Sequence, residues 1–411
     1  MKVAVLCLSD SVGGAAITSR RLTEALIRKG VDASLVVVRK GSDRPYVIKA
    51  PFPLRRRWSF LSERTGIFLA NGFSRKNLFK IDTGAKGLPL WKIPAVKDAD
   101  AVIINWVNQG MLSLKGVGRL VRMGKRVIWT MHDMWNFTGI CHHSFACRNF
   151  TRECGSCFLL GRRASPSDLS HRIWKKKKAL YSSGKIKFVA VSSWLMTLAR
   201  ESSLLCNANL TLIPNAFPDV DRFLSSYPAV RHPFAIIFVA ARLDDPIKGL
   251  DILRQGISAF RHLYPRIASE SVLRLVGDVK DPAAIKGFEI ETEYLGPIHD
   301  ERLMAQAYME SAVVISTSLF ENLPSTLIEG QAFGCIPVAF DRGGQRDIIQ
   351  HQSTGFLVPW SDDETRRATD IADTLNRALT HSDDIRPFIA ESVRQKFSYD
   401  AVAKQYLTLL K

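Results

Sequence analysis

The sequence predicts an α/β protein of two doubly wound, Rossmann-like domains, and three observations carry that prediction. Short apolar runs rich in Val, Ile and Phe alternate along the chain with amphipathic helical patterns. Such alternation marks parallel sheets covered by helices on both faces. The series restarts once, after Pro214-Asn-Ala-Phe-Pro218. At 411 residues the chain is long enough for two full cores. A ligand cleft is expected where the carboxyl ends of the two sets of strands face each other.

In the first half, residues 3–8, 35–38, 101–104, 127–131 and 188–191 read as strands. In the second half, residues 234–240, 272–276, 291–295, 313–316 and 336–340 do. The domains are therefore expected at 1–215 and 216–396, with the proline-flanked segment as hinge. Residues 397–411 carry a Ser398 cap and helical spacing. They are expected to form a helix packing back toward the first domain. Residues 45–95 are poorly periodic, hold Arg55-Arg-Arg-Trp58 and several Gly and Pro, and read as an irregular insertion.

With 46% hydrophobic and 23% charged residues, the composition is that of a globular protein and excludes a disordered one. No apolar run approaches the roughly 20 residues that span a bilayer. The first apolar run is too short for a secretory signal and reads as a core strand. The cytoplasm is the expected compartment, with the seven cysteines reduced. The net charge of +18 is uneven. Residues 1–218 hold 36 Lys/Arg against 12 Asp/Glu, a net +24, whereas residues 219–411 hold 21 against 27, a net −6. The first half is thus expected to meet something anionic: nucleic acid, a membrane surface or a lipid phosphate.

Chemistry concentrates between the last two of these strands, where Glu321 and Glu329 flank a strand-to-helix turn. A helix opening at the carboxyl end of a parallel strand offers free N–H groups to phosphate. A carboxylate beside it suits sugar hydroxyls instead, so the pair points to a nucleotide or nucleotide sugar. Arg242 and Lys248 leave a strand end six positions apart and could clamp a diphosphate as it becomes a leaving group. Gly13 and Gly14 follow the first strand and would let the backbone approach a ligand. They do not form G-x-G-x-x-G, which disfavours a nicotinamide cofactor.

Taken in order, Gly13-Gly14, His132-Asp133, Val191-Ser-Ser-Trp194, Ile213-Pro-Asn215, Arg242-x5-Lys248-Gly-Leu, Glu321-x7-Glu329 and Phe397-Ser-Tyr-Asp400 resemble the retaining family 4 glycosyltransferases of GT-B fold. The resemblance spans the chain except 45–95 and 141–185. It implies that Glu329 binds the nucleotide ribose and that Glu321 contacts the donor sugar. It further implies that the N–H groups of Asn322 and Leu323, with Arg242 and Lys248, meet the diphosphate of a UDP- or GDP-sugar. The base would lie against Tyr294-Leu-Gly-Pro297, at Leu295, through backbone contacts. His132, at a strand end, would approach the sugar near the reacting carbon, neutral near pH 7. Retention in this fold is commonly explained by front-face attack, with the leaving phosphate accepting the acceptor's proton. No metal is required for catalysis, and the D-x-D string Asp98-Ala-Asp100 falls at the amino end of its strand, the wrong edge for the cleft.

Cys141, Cys147, Cys154 and Cys157 lie within seventeen residues, the last two as C-x2-C. That spacing has metal-ligand character, and a structural zinc is expected, with His142 or His143 able to replace one thiolate. Free thiols and disulfides are the alternatives. A similar loop occurs in a subset resembling colanic-acid-type exopolysaccharide glycosyltransferases. Cys7, Cys206 and Cys335 read as core residues. Lys175-Lys-Lys-Lys178 beside Trp174, and Arg55-Arg-Arg57 beside Trp58, suit a phospholipid surface or a lipid-pyrophosphate acceptor.

The expectation is a retaining glycosyltransferase extending a lipid-linked surface polysaccharide, peripheral on the inner face of the cytoplasmic membrane and without a nucleic-acid partner. A basic zinc-knuckle nucleic-acid-binding protein and a catalytically silent glycan-binding relative are the competing readings.

Overall fold

A computed structural model gives the fold and describes all residues except 218, 219, 221–229 and 382–384. Pro218 of the expected hinge lies outside the described residues. The chain forms two compact units, one of residues 1–216 with 399–411, the other of residues 217–398.

The first unit is built on seven parallel strands: β1 (Lys2–Ser9), β2 (Asp32–Arg39), β3 (Val47–Lys49), β4 (Ala101–Ile104), β5 (Arg126–Met131), β6 (Ile186–Ala190) and β7 (Asn209–Leu212), in the order β3-β2-β1-β4-β5-β6-β7. Val5 pairs with Leu35 on one side and Ile103 on the other. All three are fully buried, which is why these strands read as unbroken apolar runs. The strand order reverses at β1 and β4, so loops at their carboxyl ends diverge and leave a crevice. The second unit repeats the plan with β8 (Ala235–Arg242), β9 (Val272–Asp278), β10 (Glu291–Gly296), β11 (Val313–Ser316), β12 (Ile336–Phe340) and β13 (Phe356–Val358), ordered β10-β9-β8-β11-β12-β13. Here the reversal falls at β8 and β11.

Six helices carry or border the candidate functional residues: α1 (Gly14–Arg28), α2 (Pro53–Ala70), α3 (Leu169–Tyr181), α4 (Leu250–Leu263), α5 (Ser325–Ala332) and α6 (Tyr399–Leu410). Helix α6 closes the core of the first unit: Val402, Ala403, Tyr406 and Leu410 are buried with Val3, Val5, Leu22 and Ile128. Its Tyr399 hydroxyl donates to Glu24 at 2.6 Å, and its Tyr406 hydroxyl bonds Thr130 at 2.8 Å.

Four sequence expectations change. Strands β3, β7 and β13 escape a reading of apolar runs, being only three or four residues long. The segment 45–95 is not simply irregular, because it holds β3 and the eighteen-residue helix α2. Lys177, within the lysine run on α3 expected to suit a phospholipid surface or a lipid-pyrophosphate acceptor, is fully buried. Cys206 is exposed, whereas Cys7 and Cys335 are core residues. Among the described residues, no helix is long and apolar enough to cross a membrane.

Candidate functional site

The second unit holds most of the candidate donor-binding residues, with Arg242 and Lys248 at or after the carboxyl end of β8 and Glu321 after that of β11. After β8 the chain makes a short turn capped by Asp245, whose Oδ1 accepts the Ile247 N–H at 3.1 Å. Gly249 then takes a left-handed conformation, φ 71°, before α4 begins. A Cβ there would stand 2.2 Å from the Thr317 carbonyl oxygen, so both space and backbone demand glycine. The Thr317 hydroxyl donates to the Gly249 carbonyl at 2.8 Å, and the Leu319 N–H to that of Ile247 at 2.8 Å. These bonds bind the loop after β8 to the loop after β11. They bring Lys248 Nζ to 2.6 Å from Glu321 Oε1. Arg242 instead lies beside Asp244, Nε to Oδ1 3.0 Å.

Glu321 is fixed from its other side. Its carbonyl accepts the Gly344 N–H at 3.1 Å, and a Cβ on Gly343 (φ 60°) would reach that carbonyl at 2.3 Å. Glu329 stands half-buried on α5 and accepts the Tyr308 hydroxyl at 3.2 Å. Tyr308 is itself fully buried and stacked on Phe333 at 6.0 Å. Helix α5 packs hard on β11, because a Cβ on Gly330 would meet Val314 at 2.5 Å. No side chain caps its N-terminus, leaving first-turn N–H groups to face an anion. Asn322 and the buried Leu323 lead into that turn. At the end of edge strand β10, Leu295 is 41% exposed, followed by Gly296 at φ 68°.

In the first unit, Gly13 caps α1 at φ 89°, and added Cβ atoms on Gly13 or Gly14 would meet nothing within 4 Å. That open face is at the carboxyl end of β1. Asp10 beside it accepts from Gly41 N at 2.7 Å and Ser42 N at 3.0 Å, which ties the next loop closely against Ser11. His132 follows β5, with Nε2 2.8 Å from Asn105 Oδ1. In the neutral ring that bond makes Nε2–H the donor and leaves Nδ1 as an acceptor. Burial pulls His132 down to about 4, against a smaller opposing effect of Asp133, so it is neutral at pH 7. Burial would raise Asp133, but His142 beside it wins and holds the carboxyl well below the usual range. Its Oδ2 meets His142 Nδ1 at 2.7 Å and Trp106 Nε1 at 3.0 Å, and its Oδ1 accepts Trp135 N at 2.8 Å. His142 is thus committed to Asp133.

The four loop cysteines line one small cavity of about 20 Å³, and none is in a disulfide. Backbone N–H groups aim at the sulfurs: Gly139 N lies 3.1 Å from Cys154 Sγ, and Leu159 and Leu160 bond Cys157. Burial pushes the Cys141 thiol up to about 12 and those of Cys154 and Cys157 to about 11. As the side chains stand, no group of three His, Cys, Asp or Glu among the described residues is arranged to hold a metal ion. The buried Lys177 amine donates to the carbonyls of Trp135 and Thr138 and lies 3.5 Å from the Trp135 ring centroid, and burial pulls it down to about 7.

Sequence reasoning missed Asp10, Thr317, Tyr308, Gly343 and Gly344. The glycine pair had a signal, repeating after β12 the pattern of Gly13-Gly14 after β1. The other three act through partners too far away in sequence to be read.

Residues 234–381 match the family described as Glycosyl transferases group 1. Among curated proteins, none matches the chain. Solved structures resemble it over nearly its full length. Sucrose-phosphate synthase from Thermosynechococcus elongatus superposes with a TM-score of 0.63 at 17% identity, covering 99% of this chain and 98% of that one. Anabaena HepE, solved with UDP-glucose, gives 0.59 at 16%, covering 100% and 99%. WaaG, a glycosyltransferase involved in lipopolysaccharide biosynthesis, gives 0.61 at 12%, covering 100% and 99%. At these identities the likeness shows the fold, which is the two-domain GT-B fold. Fold and domain match together support a glycosyltransferase.

Proposed function

We propose that this chain is a retaining, family 4-type glycosyltransferase. It moves a sugar from a nucleoside-diphosphate sugar, UDP- or GDP-linked, to a lipid-pyrophosphate-linked surface polysaccharide at an anionic membrane surface. The observation that carries the donor half is the Lys248–Glu321 pair at 2.6 Å beside the uncapped start of α5. A diphosphate entering there competes for Lys248 and, with Arg242 and the N–H groups of Asn322 and Leu323, has its charge matched. Glu321, released from the lysine, is free to accept hydroxyls of the sugar. Glu329, oriented by Tyr308, accepts those of the ribose. The backbone around Leu295 offers the base a surface.

Catalysis then needs no side-chain nucleophile. As the sugar–phosphate bond breaks, the acceptor hydroxyl attacks from the same face and its proton passes to the departing phosphate oxygen. His132, neutral and fixed by Asn105, orients a donor hydroxyl through Nδ1. The UDP-glucose bound by HepE and the lipopolysaccharide role of WaaG are in keeping with donor and acceptor classes. No metal takes part in this step. A structural zinc on Cys141, Cys147, Cys154 and Cys157 is proposed separately, supported by their common cavity and the N–H groups aimed at their sulfurs.

A thermal-shift panel of UDP- and GDP-sugars tests the donor site. At least one is expected to raise the wild-type Tm by several degrees, and Glu329→Ala to abolish the rise with the unliganded Tm little changed. No shift with any nucleotide would sink the assignment. A shift only with DNA would favour the nucleic-acid reading.

A further inference from the structure

Helix α2 is built inside out. Its buried positions are Ser59, Glu63, Arg64 and Ile67, while Leu54, Trp58, Leu61 and Leu69 are 79%, 76%, 48% and 51% exposed. The spacing of the outward residues, with Thr65 between, is that of a single helical face. Arg55 and Arg57 fall on either side of that stripe and are exposed. Just past the helix, Phe73 is 63% exposed. The inward face is pinned by polar bonds. Glu63 Oε1 accepts from Thr83 N at 3.1 Å, Thr83 Oγ1 at 2.7 Å and Gly84 N at 3.0 Å, and Arg64 Nη2 donates to Asp82 at 2.8 Å. The helix is therefore held to its domain by these bonds and by Ile67, and its outward residues Leu54, Trp58, Leu61 and Leu69 are left for something else.

At its first turns lies a cavity of about 340 Å³. Arg39, Arg56 and Arg57 line it together with Leu8, Phe60 and Met111. None of the three arginines has a carboxylate partner among the described residues. Guanidinium groups above an apolar floor suit a phosphate that carries hydrocarbon.

We propose that α2 is a membrane-docking element. It lies in the plane of an anionic bilayer with Leu54, Trp58, Leu61 and Leu69 in the headgroup layer, and the arginine-lined cavity takes a phosphate of a lipid from that layer. The bilayer is preferred to a protein partner because the stripe is flanked by cations and sits in the half of the chain that carries +24. This deepens the lipid-linked acceptor reading and rests on it only for the identity of the cavity's lipid.

Full-length protein is tested by flotation with vesicles of phosphatidylethanolamine and phosphatidylglycerol, and with phosphatidylcholine alone. Binding to the anionic vesicles is expected, falling at least about tenfold in Leu54→Ser/Trp58→Ser/Leu61→Ser with the Tm unchanged. No flotation of wild type, or equal flotation of the triple variant, overturns the docking face. So does a dimer, without flotation, that the triple variant dissociates. For the cavity, dihexanoyl phosphatidic acid is expected to raise the Tm of wild type and not of Arg39→Ser/Arg56→Ser. An equal rise with inorganic phosphate at the same concentration overturns the lipid assignment. Neither arm contains a sugar donor, so failure here leaves the donor site standing.

Discussion

At the scale of single residues, His132 has the most exacting environment. Its ring is fixed by Asn105 and pulled down to about 4 by burial, from an unfolded value near 6.5. A base whose folded pKa is depressed gives stability that is complete above 6.5 and lost as pH falls through 4, because the unfolded chain binds the proton more readily. The stability advantage of wild type over His132→Asn should therefore shrink by about 1–3 kcal/mol between pH 7 and pH 4. Urea unfolding across that range measures it, and a pH-independent difference would mean the imidazole is not held neutral. Arg242, Lys248, Glu321 and Glu329 could be named as candidates because each stands at or after a strand that reads as an apolar run. Tyr308, which orients Glu329 from 21 residues away, was not, because its role exists only once α5 has packed.

At the scale of elements, what misleads a reader of sequence is the direction a face points. Strands β1, β4, β5, β8, β11 and β12 are buried on both sides and announce themselves as apolar runs. Helix α2 shows the opposite pattern, apolar residues outward and a carboxylate inward, so its periodicity reads as noise. The cysteine loop is an intermediate case. Its spacing was plain, and the structure brings all four cysteines to one cavity, with the buried Lys177 amine close enough to feel the charge of Cys141 and Cys154. Zinc bound to four thiolates would carry a net −2, which would favour the protonated form of Lys177. Protein purified without added zinc is expected to contain about one zinc per chain by elemental analysis, and chelation to lower the Tm. Metal content well below half an equivalent in folded protein would rule the site out.

At the scale of the whole molecule, the restart of the strand series pointed to two domains and the spacing of 397–411 to a last helix packing back toward the first, but not to how deeply the first unit borrows that helix for its core. Tyr406 shows the debt: it is 2% exposed, within the first unit's core, and bonded to Thr130. Tyr406→Ala should cost about 3–5 kcal/mol in the first unit. Amide exchange is the measurement. Faster exchange is expected in β1, β5 and α1, with residues 235–379 unchanged; a uniform loss of protection would mean the units unfold as one.

That borrowed helix also sets an order of events on the ribosome. Domains usually fold as they emerge, amino-terminal first. Here residues 1–216 leave the tunnel lacking the side chains of Val402, Ala403, Tyr406 and Leu410, which fill their core. The second domain, residues 217–398, is by contrast contiguous in the chain. The half made first is therefore the half finished last. During the interval it exposes the apolar faces of β1 and α1, where chaperones should find it.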